Sequence, residues 1–410
     1  GKDGGRGRGM REGMRVLCGA AVGVALVGSV WGATPSRGCS SNIPPPQTPG
    51  EVVVRSIAVT DPIANPVAPH QVLRQYRMLL PEGYRPTVAS PLVMDFHGFG
   101  QDSEEVAGAY GSGYREIAHE HDLVVVWPDG SNDSPSETQG WNCLGTSEGT
   151  GMHGDTCHPD RKAWGEYECF SSCGIDRCKP IAPDNLTQTC LASSCWDDTR
   201  FATELLDWVE GHVCIDLDHV HLSGFSNGAM FAYSLARSLS GRVASIVPVA
   251  GAPLLGFLEG AVPTSPVAVL DIHGIFDGVI PANVSNGFRG ESGPEGTTWS
   301  SDGFYYHPVD HVLERWAAVN ECSGAGEIRE YKTPKDGDMW WHCTEPYGAC
   351  RSGASVVRCS SLADHWWPTF YLAACEEEDC PHVDFAMLAW EFFSRHPLRR
   401  GMGGNHTALL

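Results

Sequence analysis

One run, Val220-His221-Leu222-Ser223-Gly224-Phe225-Ser226-Asn227-Gly228-Ala229-Met230, constrains this chain more than any other. A short apolar stretch enters Gly-x-Ser-x-Gly and leaves as a helical pattern carrying Phe231, Leu235 and Leu239. Strand, sharp turn and helix in that order put the serine at the apex, its hydroxyl exposed near the positive end of the helix. Strand and helix nearly touch at such a turn, so a Cβ at either glycine would clash. The pentapeptide alone is weak in a chain with 48 glycines among 410 residues. Gly145-Thr146-Ser147-Glu148-Gly149 also matches, but no strand precedes it and no helical pattern follows. Context selects Ser226 as the nucleophile.

The rest of the chain reads as alternating strands and helices. Val52 to Ala58 and Tyr76 to Leu80 are expected as edge strands, joined by a long Pro-containing connection. Buried strands are expected at Pro91 to Phe96, Leu123 to Trp127, Ser245 to Ala250, Val267 to Ile272 and near Ser355 to Arg358. Helical patterns fall around Tyr114 to Glu120, His311 to Val319 and Phe385 to Phe393. Asp197-Asp198 opens another helix, with an apolar stripe of Phe201, Leu205, Trp208, Val209 and Val213. Strands apolar on both faces and separated by helices imply an α/β fold: a mostly parallel central sheet with helices on both faces.

From Ser131 to Cys195 the periodicity vanishes and seven cysteines appear: Cys143, Cys157, Cys169, Cys173, Cys178, Cys190 and Cys195. So long a loop is expected as a disulfide-stapled insert over the C-terminal edge of the sheet. The chain has 16 cysteines without paired metal-ligand spacing, which points to disulfides and an oxidising compartment. His153, Asp155, Cys157 and His158 lie close together, but disulfide pairing accounts for the cysteine, and no metal site is expected. Arg15 followed by an apolar stretch, Val16 to Val30, and then Gly32-Ala33 reads as a secretory signal. Sequons at Asn132, Asn185, Asn283 and Asn405 suit that route. The expected organisation is an N-terminal extension and signal over 1–33, a Pro-rich linker over 34–50 and one domain over 51–400, with the Cys-rich insert at 131–195. A net charge of −22 argues against nucleic acid and anionic membrane surfaces, and no stable membrane association is expected once the signal is removed. Cys195 and Cys214 bracket the helix after Asp198 and are expected to bond to each other.

A serine hydroxyl needs a base to take its proton and an acid to orient that base. Asp277 lies just past a strand end, where the acid belongs, while Asp271 sits inside an apolar run and reads as a buried strand residue. For the base, the residues alone leave His342, His365, His382 and His396 open. Oxyanion donors are expected from the N–H of Asn227, after the nucleophile, and of Phe99 in the His97-Gly98-Phe99-Gly100-Gln101 turn. Such a reaction calls for no cofactor.

Four motifs in order resemble a known family: His97-Gly98-x-Gly100-Gln101, Gly224-x-Ser226-Asn227-Gly228, His273-Gly274-x-x-Asp277-x-x-x-Pro281 and His365-x-Trp367-Pro368. They are similar to the secreted esterases that include feruloyl esterases and polyhydroxybutyrate depolymerase-type enzymes, within the α/β-hydrolase superfamily. Trp141-Asn142, Asp197-Asp198, Trp316 with Cys322, and Trp390-x-Phe392-Phe393 add to the likeness, which runs from about Tyr76 to Pro397. The resemblance implies Ser226 as nucleophile, Asp277 as acid and His365 as base. It also implies a bond between Cys322 and Cys350. Ala363-Asp364 stands where the family has Gly-Gly, and Thr369 where it has Gly; a carboxylate at 364 is expected to hold the imidazolium of His365, and glycine there to free the loop. Trp141, Trp366 and Trp367 are expected to form an aromatic wall for substrate. The activity implied is extracellular hydrolysis of an ester on a carbohydrate polymer, feruloylated xylan first. Acetylxylan esterase, polyester depolymerase and a non-catalytic binding protein on the same scaffold are the alternatives.

Overall fold

The computed structural model describes residues 33–61, 70–108, 111–158, 170–174, 180–181, 186–187, 190–260, 263–283, 294, 296–324, 341–361, 363–367 and 385–399. The stretch read as a signal and the candidate base His382 lie outside these residues.

Nine strands form one sheet: β1 (Val52–Asp61), β2 (His70–Leu79), β3 (Ser90–Phe96), β4 (Val124–Pro128), β5 (Ile215–Phe225), β6 (Ser245–Val249), β7 (Ala268–Gly274), β8 (Trp341–Thr344) and β9 (Val356–Ser361). Their spatial order is β1-β2-β4-β3-β5-β6-β7-β9-β8. The run from β4 through β3, β5, β6 and β7 to β9 is parallel, while β1, β2 and β8 enter antiparallel. The β2 strand is paired on both sides, to β1 and β4, so of the two strands expected as edges β1 alone is one. On the opposite side β8, which carries no sequence signal of its own, caps β9.

Helices cover both faces because each central strand is apolar on both. One core packs β3, β4, β5 and β6 against α3 (Asp198–His212), α4 (Asn227–Ser238) and α5 (Val309–Val319), through Phe201, Leu205, Phe231, Leu235 and Trp316. The other packs the reverse face against α1 (Ser103–Ala107), α2 (Tyr114–Ala118) and α6 (Phe385–Arg395), through Tyr114, Ile117, Phe385, Ala389 and Phe393. The apolar stripe read for α3 is the face that is buried, and Asp197 caps its N-terminus by accepting from the Arg200 N–H.

The 34–50 segment is tied to this body. Ser36 donates to the Val213 carbonyl, Gln47 donates to that of Met78, and Cys39 is bonded to Cys214. That bond corrects the expected Cys195–Cys214 pair. A 15-residue helix holds its ends about 22 Å apart, so each cysteine instead takes a partner beside its own end. Cys195 bonds Cys173, and Cys157 bonds Cys190. The Cys322–Cys350 bond is present, and Cys343–Cys359 staples β8 to β9.

Candidate active site

The parallel strands end along one edge, and the turns that follow them build the site. At the end of β5 the backbone reverses through Ser226, at φ 55° and ψ −119°, and runs directly into α4. That conformation is strained for a residue with a Cβ. It survives because its surroundings are close-packed glycine. A Cβ on Gly224 would meet the Gly228 carbonyl at 2.5 Å, and one on Gly228 would meet the Phe96 and His97 carbonyls at 2.2 and 2.4 Å. The Ser226 N–H is held by the Val249 carbonyl at 2.8 Å.

Three of the expected residues meet here. Ser226 Oγ lies 2.8 Å from His365 Nε2, and His365 Nδ1 lies 2.8 Å from Asp277 Oδ2. The other oxygen of Asp277 accepts the N–H groups of Val279 (2.9 Å) and Ile280 (2.8 Å). His273 Nε2 stands 3.3 Å from Asp277 Oδ2 as well. Burial works to raise the Asp277 carboxyl, but His365 and His273 outweigh it and hold the group well below the usual carboxylate range. An ionised Asp277 fixes the tautomer of His365: Nδ1–H donates to the carboxylate, leaving Nε2 as an acceptor for the Ser226 O–H.

Asp271, the competing acid, accepts from the Tyr233 hydroxyl at 2.9 Å. Among the other histidines, His396 is engaged with the Phe392 carbonyl at the end of α6. Ser147 donates to Asn142 Oδ1 inside the insert. Cys157 of the candidate metal cluster is a disulfide partner, and His158 stacks on Trp299.

The turn after β3 is built by its motif. His97 Nε2 accepts the Gly130 N–H at 2.8 Å, Nδ1–H donates to the Gly98 carbonyl at 2.7 Å, and burial pushes its pKa down, so the ring is neutral. Gln101 Oε1 accepts the Gly98 N–H at 3.0 Å, and Gln139 O accepts the Gly100 N–H at 2.8 Å. Phe99 therefore sits in a turn pinned on both sides, opposite the elbow. The Asn227 side chain reaches the same place: its Oδ1 accepts the Trp141 N–H (2.6 Å) and its Nδ2–H donates to the Trp141 carbonyl (3.0 Å).

The tryptophans differ from expectation. Trp141 is fully buried, stacked on Phe231 with ring centroids 4.8 Å apart and donating Nε1–H to the His97 carbonyl. Trp367 is 4% exposed, edge-on to Phe225, whose ring lies 5.0 Å from that of His365. Both hold the site from beneath and cannot wall a substrate; burial of an indole is driven by its area, which the local sequence pattern does not report. Trp366 alone faces solvent, 55% exposed, and Phe276 joins it at 62%. The two are sequence neighbours of His365 and Asp277, and the Phe276 N–H donates to the Ala363 carbonyl at 3.1 Å, tying their loops together. Asp364 directs its Oδ1 at backbone, accepting the His365 N–H (2.8 Å) and the Gly278 N–H (3.2 Å), so its bonds brace the loop where an imidazolium partner was expected.

Sheet order, crossover helices and elbow define the α/β-hydrolase fold. Within it, the chain is 31% identical over 217 residues to feruloyl esterase D of Neurospora crassa, across 52% of this chain and 61% of that protein. It is 28% identical over 206 residues to a protein named "probable feruloyl esterase C" of Aspergillus niger, across 47% and 64%. A bifunctional acetylxylan esterase/xylanase of Neocallimastix patriciarum is 30% identical over 100 residues, 23% of this chain and 14% of that protein. The chain thus spans less than two thirds of the length of these relatives. Among solved structures, an acetyl xylan esterase from Aspergillus awamori superposes with a TM-score of 0.44 at 13% identity, covering 83% of this chain and 99% of the other. No family model matches.

Proposed function

We propose that this chain is a serine carboxylic ester hydrolase, acting outside the cell on feruloyl esters of plant cell-wall polysaccharide. The observation that carries the reading is the unbroken chain from Ser226 Oγ through His365 to Asp277, at 2.8 Å in each step. Ser226 attacks the ester carbonyl as His365 Nε2 takes its proton. The oxyanion is held by the N–H groups of Asn227 and Phe99. His365 returns the proton to the leaving alkoxide, the acyl group stays on Ser226, and water activated by the same imidazole releases the acid. Phe276 and Trp366 offer two exposed rings where an acyl or sugar ring would dock. The disulfides and the likeness to feruloyl esterases support extracellular work on a polymer-linked ester.

Ser226→Ala is expected to lower turnover on the order of a million-fold while leaving thermal unfolding unchanged. Hydrolysis retained by that variant, or lost instead in Ser147→Ala, refutes the assignment of Ser226, whereas a wild type that hydrolyses no ester leaves a binding protein on a hydrolase scaffold. A panel of methyl ferulate, acetylated xylan and hydroxybutyrate oligomers separates the substrate classes. The exposed pair Phe276 and Trp366 favours a second reading, a polyester depolymerase, which predicts fastest cleavage of the oligomers.

A further inference from the structure

We infer that the Cys-rich insert buttresses the oxyanion turn, and that Phe170 is a positioning residue for the N–H of Phe99. This rests on the reading of Phe99 as an oxyanion donor. The insert has its own small apolar cluster, made of Phe170, Cys173, Leu191 and Cys195. Phe99 is the partly buried residue packed against that cluster from outside the insert. Its ring meets Phe170 edge-on with centroids 6.5 Å apart. Gly140 also stands against the Phe99 ring, close enough that a Cβ there would come within 3.0 Å of it. Gln139, the neighbour of Gly140, accepts the Gly100 N–H. The insert therefore grips the turn twice, once through the Gln139 carbonyl and once by packing against the Phe99 ring.

The jaw holding Phe170 is itself locked. Asp133 Oδ2 accepts from Ser171 Oγ at 3.0 Å and from the Ser172 N–H at 2.5 Å. Ser172 Oγ accepts the Cys195 N–H at 2.8 Å, and Cys173 is bonded to Cys195. A cluster of four side chains buries too little to order a loop against its entropy, so the disulfide supplies the constraint. An oxyanion donor works only when aimed at the position the oxygen takes in the transition state, and a shift of about 1 Å costs on the order of a hundredfold. A buttress thus acts on the chemical step, whereas a lid acts on substrate entry.

The test measures kcat and KM on methyl ferulate, and the affinity of an alkyl boronic acid, whose adduct with Ser226 places an oxygen in the oxyanion position. It compares wild type, Phe170→Ala, Phe170→Leu, Phe99→Ala, the Phe99→Ala/Phe170→Ala pair, and the Cys173→Ser/Cys195→Ser pair. Phe170→Ala is expected to lower kcat about ten- to a hundredfold, leave KM within about twofold and weaken boronate in proportion to kcat. Phe170→Leu should recover most of the loss. Phe99→Ala should match Phe170→Ala, and combining them should add little. The cysteine pair should behave like Phe170→Ala; if it does not fold, the Phe99 and Phe170 cycle carries the test. A rise in KM at constant kcat makes the insert a lid and overturns the inference, as do unchanged kcat and boronate affinity in an active enzyme. A wild type that neither hydrolyses the ester nor binds boronate refutes the esterase reading itself, and this inference with it.

Discussion

Two strands end in the same four-residue pattern and put it to opposite uses. Asp95-Phe96-His97-Gly98 closes β3, and Asp271-Ile272-His273-Gly274 closes β7. In each, the histidine follows by two residues an aspartate that lies on one face of the strand. The sides are opposite: Val93 shares the parity of Asp95 and lies in one core, while Val269 shares that of Asp271 and lies in the other. Both nitrogens of His97 meet backbone, and burial keeps the ring neutral. His273 stands between Asp271, at 3.8 Å, and Asp277, at 3.3 Å, with Nε2–H also reaching the Ile280 carbonyl at 2.7 Å. Burial opposes its charge, but Asp277 and Asp271 outweigh burial, and its pKa stands above the ordinary imidazole value. One motif therefore makes a neutral hinge under the turn that carries Phe99 and a carboxylate-facing clamp on the loop that carries Asp277. The strand end does not decide which; the facing loop does, by offering an N–H in one case and a carboxylate in the other.

The largest effect that would break this contrast is expected at His273. His273→Ala leaves the buried, ionised Asp277 without the imidazole that stands between it and Asp271, at a cost on the order of 3–5 kcal/mol in denaturant unfolding. It also removes part of what keeps Asp277 ionised. In the native protein the depressed Asp277 pKa means its stabilising charge is present above the ordinary carboxylate pKa and is lost only in stronger acid. Without His273, burial is opposed mainly by His365, so the acid limb of kcat/KM should move to higher pH. His97→Ala strands the buried Gly130 N–H, costs about 1–3 kcal/mol, and should lower kcat evenly at every pH. Parallel pH–rate profiles check this: equal movement of the limb in both variants would erase the distinction.

The aspartates sharpen it at smaller scale. Burial raises the Asp95 carboxyl to about 6, with Ser112, Ser223 and Trp127 offsetting only part. The folded state thus holds a proton that the unfolded chain releases near 3.8. Stability should fall as pH rises between those values, by about 3 kcal/mol at 1.36 kcal/mol per pKa unit. Asp95→Asn is expected to raise the unfolding free energy at pH 7 by a comparable amount and to match wild type near pH 4. A variant no more stable at pH 7 would show that Asp95 is held ionised.

The repeated pattern was open to a sequence reader, yet its meaning was not. The elbow, the parallel strands and the place of Asp277 were legible because each rests on local periodicity or on a turn beside a strand end, whereas His365 stood out from three other histidines only through the family resemblance. The fates of Trp141 and Trp367 were not, since an indole beside a catalytic loop has the same local pattern whether it faces solvent or the core. Phe276 went unread because one aromatic residue at a strand end carries no period. Cysteine pairing failed for Cys195 and Cys214 because it depends on which distant segment lies against a helix end, here the arm bearing Cys39. Asp364 was read from its neighbour in sequence, although its partners are backbone groups.

That residue gives the smallest expected effect and the finest test of how the loops of Asp277 and His365 stay in register. Asp364 Oδ1 spans the Gly278 N–H, beside Asp277, and the His365 N–H, so one carboxylate oxygen fixes both loops. The crossing is tight: a Cβ on Gly274 would meet the Ala363 and Asp364 carbonyls at 2.3 and 2.7 Å. Glycine at 364 therefore removes a brace that the loop uses. Asp364→Gly is expected to lower kcat a fewfold, up to about tenfold, with stability changed by less than about 1 kcal/mol for an exposed neutral-donor bond. Asp364→Asn keeps an oxygen acceptor without the charge and should retain most of the activity. If Asn proves as poor as Gly, the charge is what matters and Asp364 acts on the imidazolium after all. Faster hydrolysis by Asp364→Gly would mean that the bridge restrains His365 from its best position.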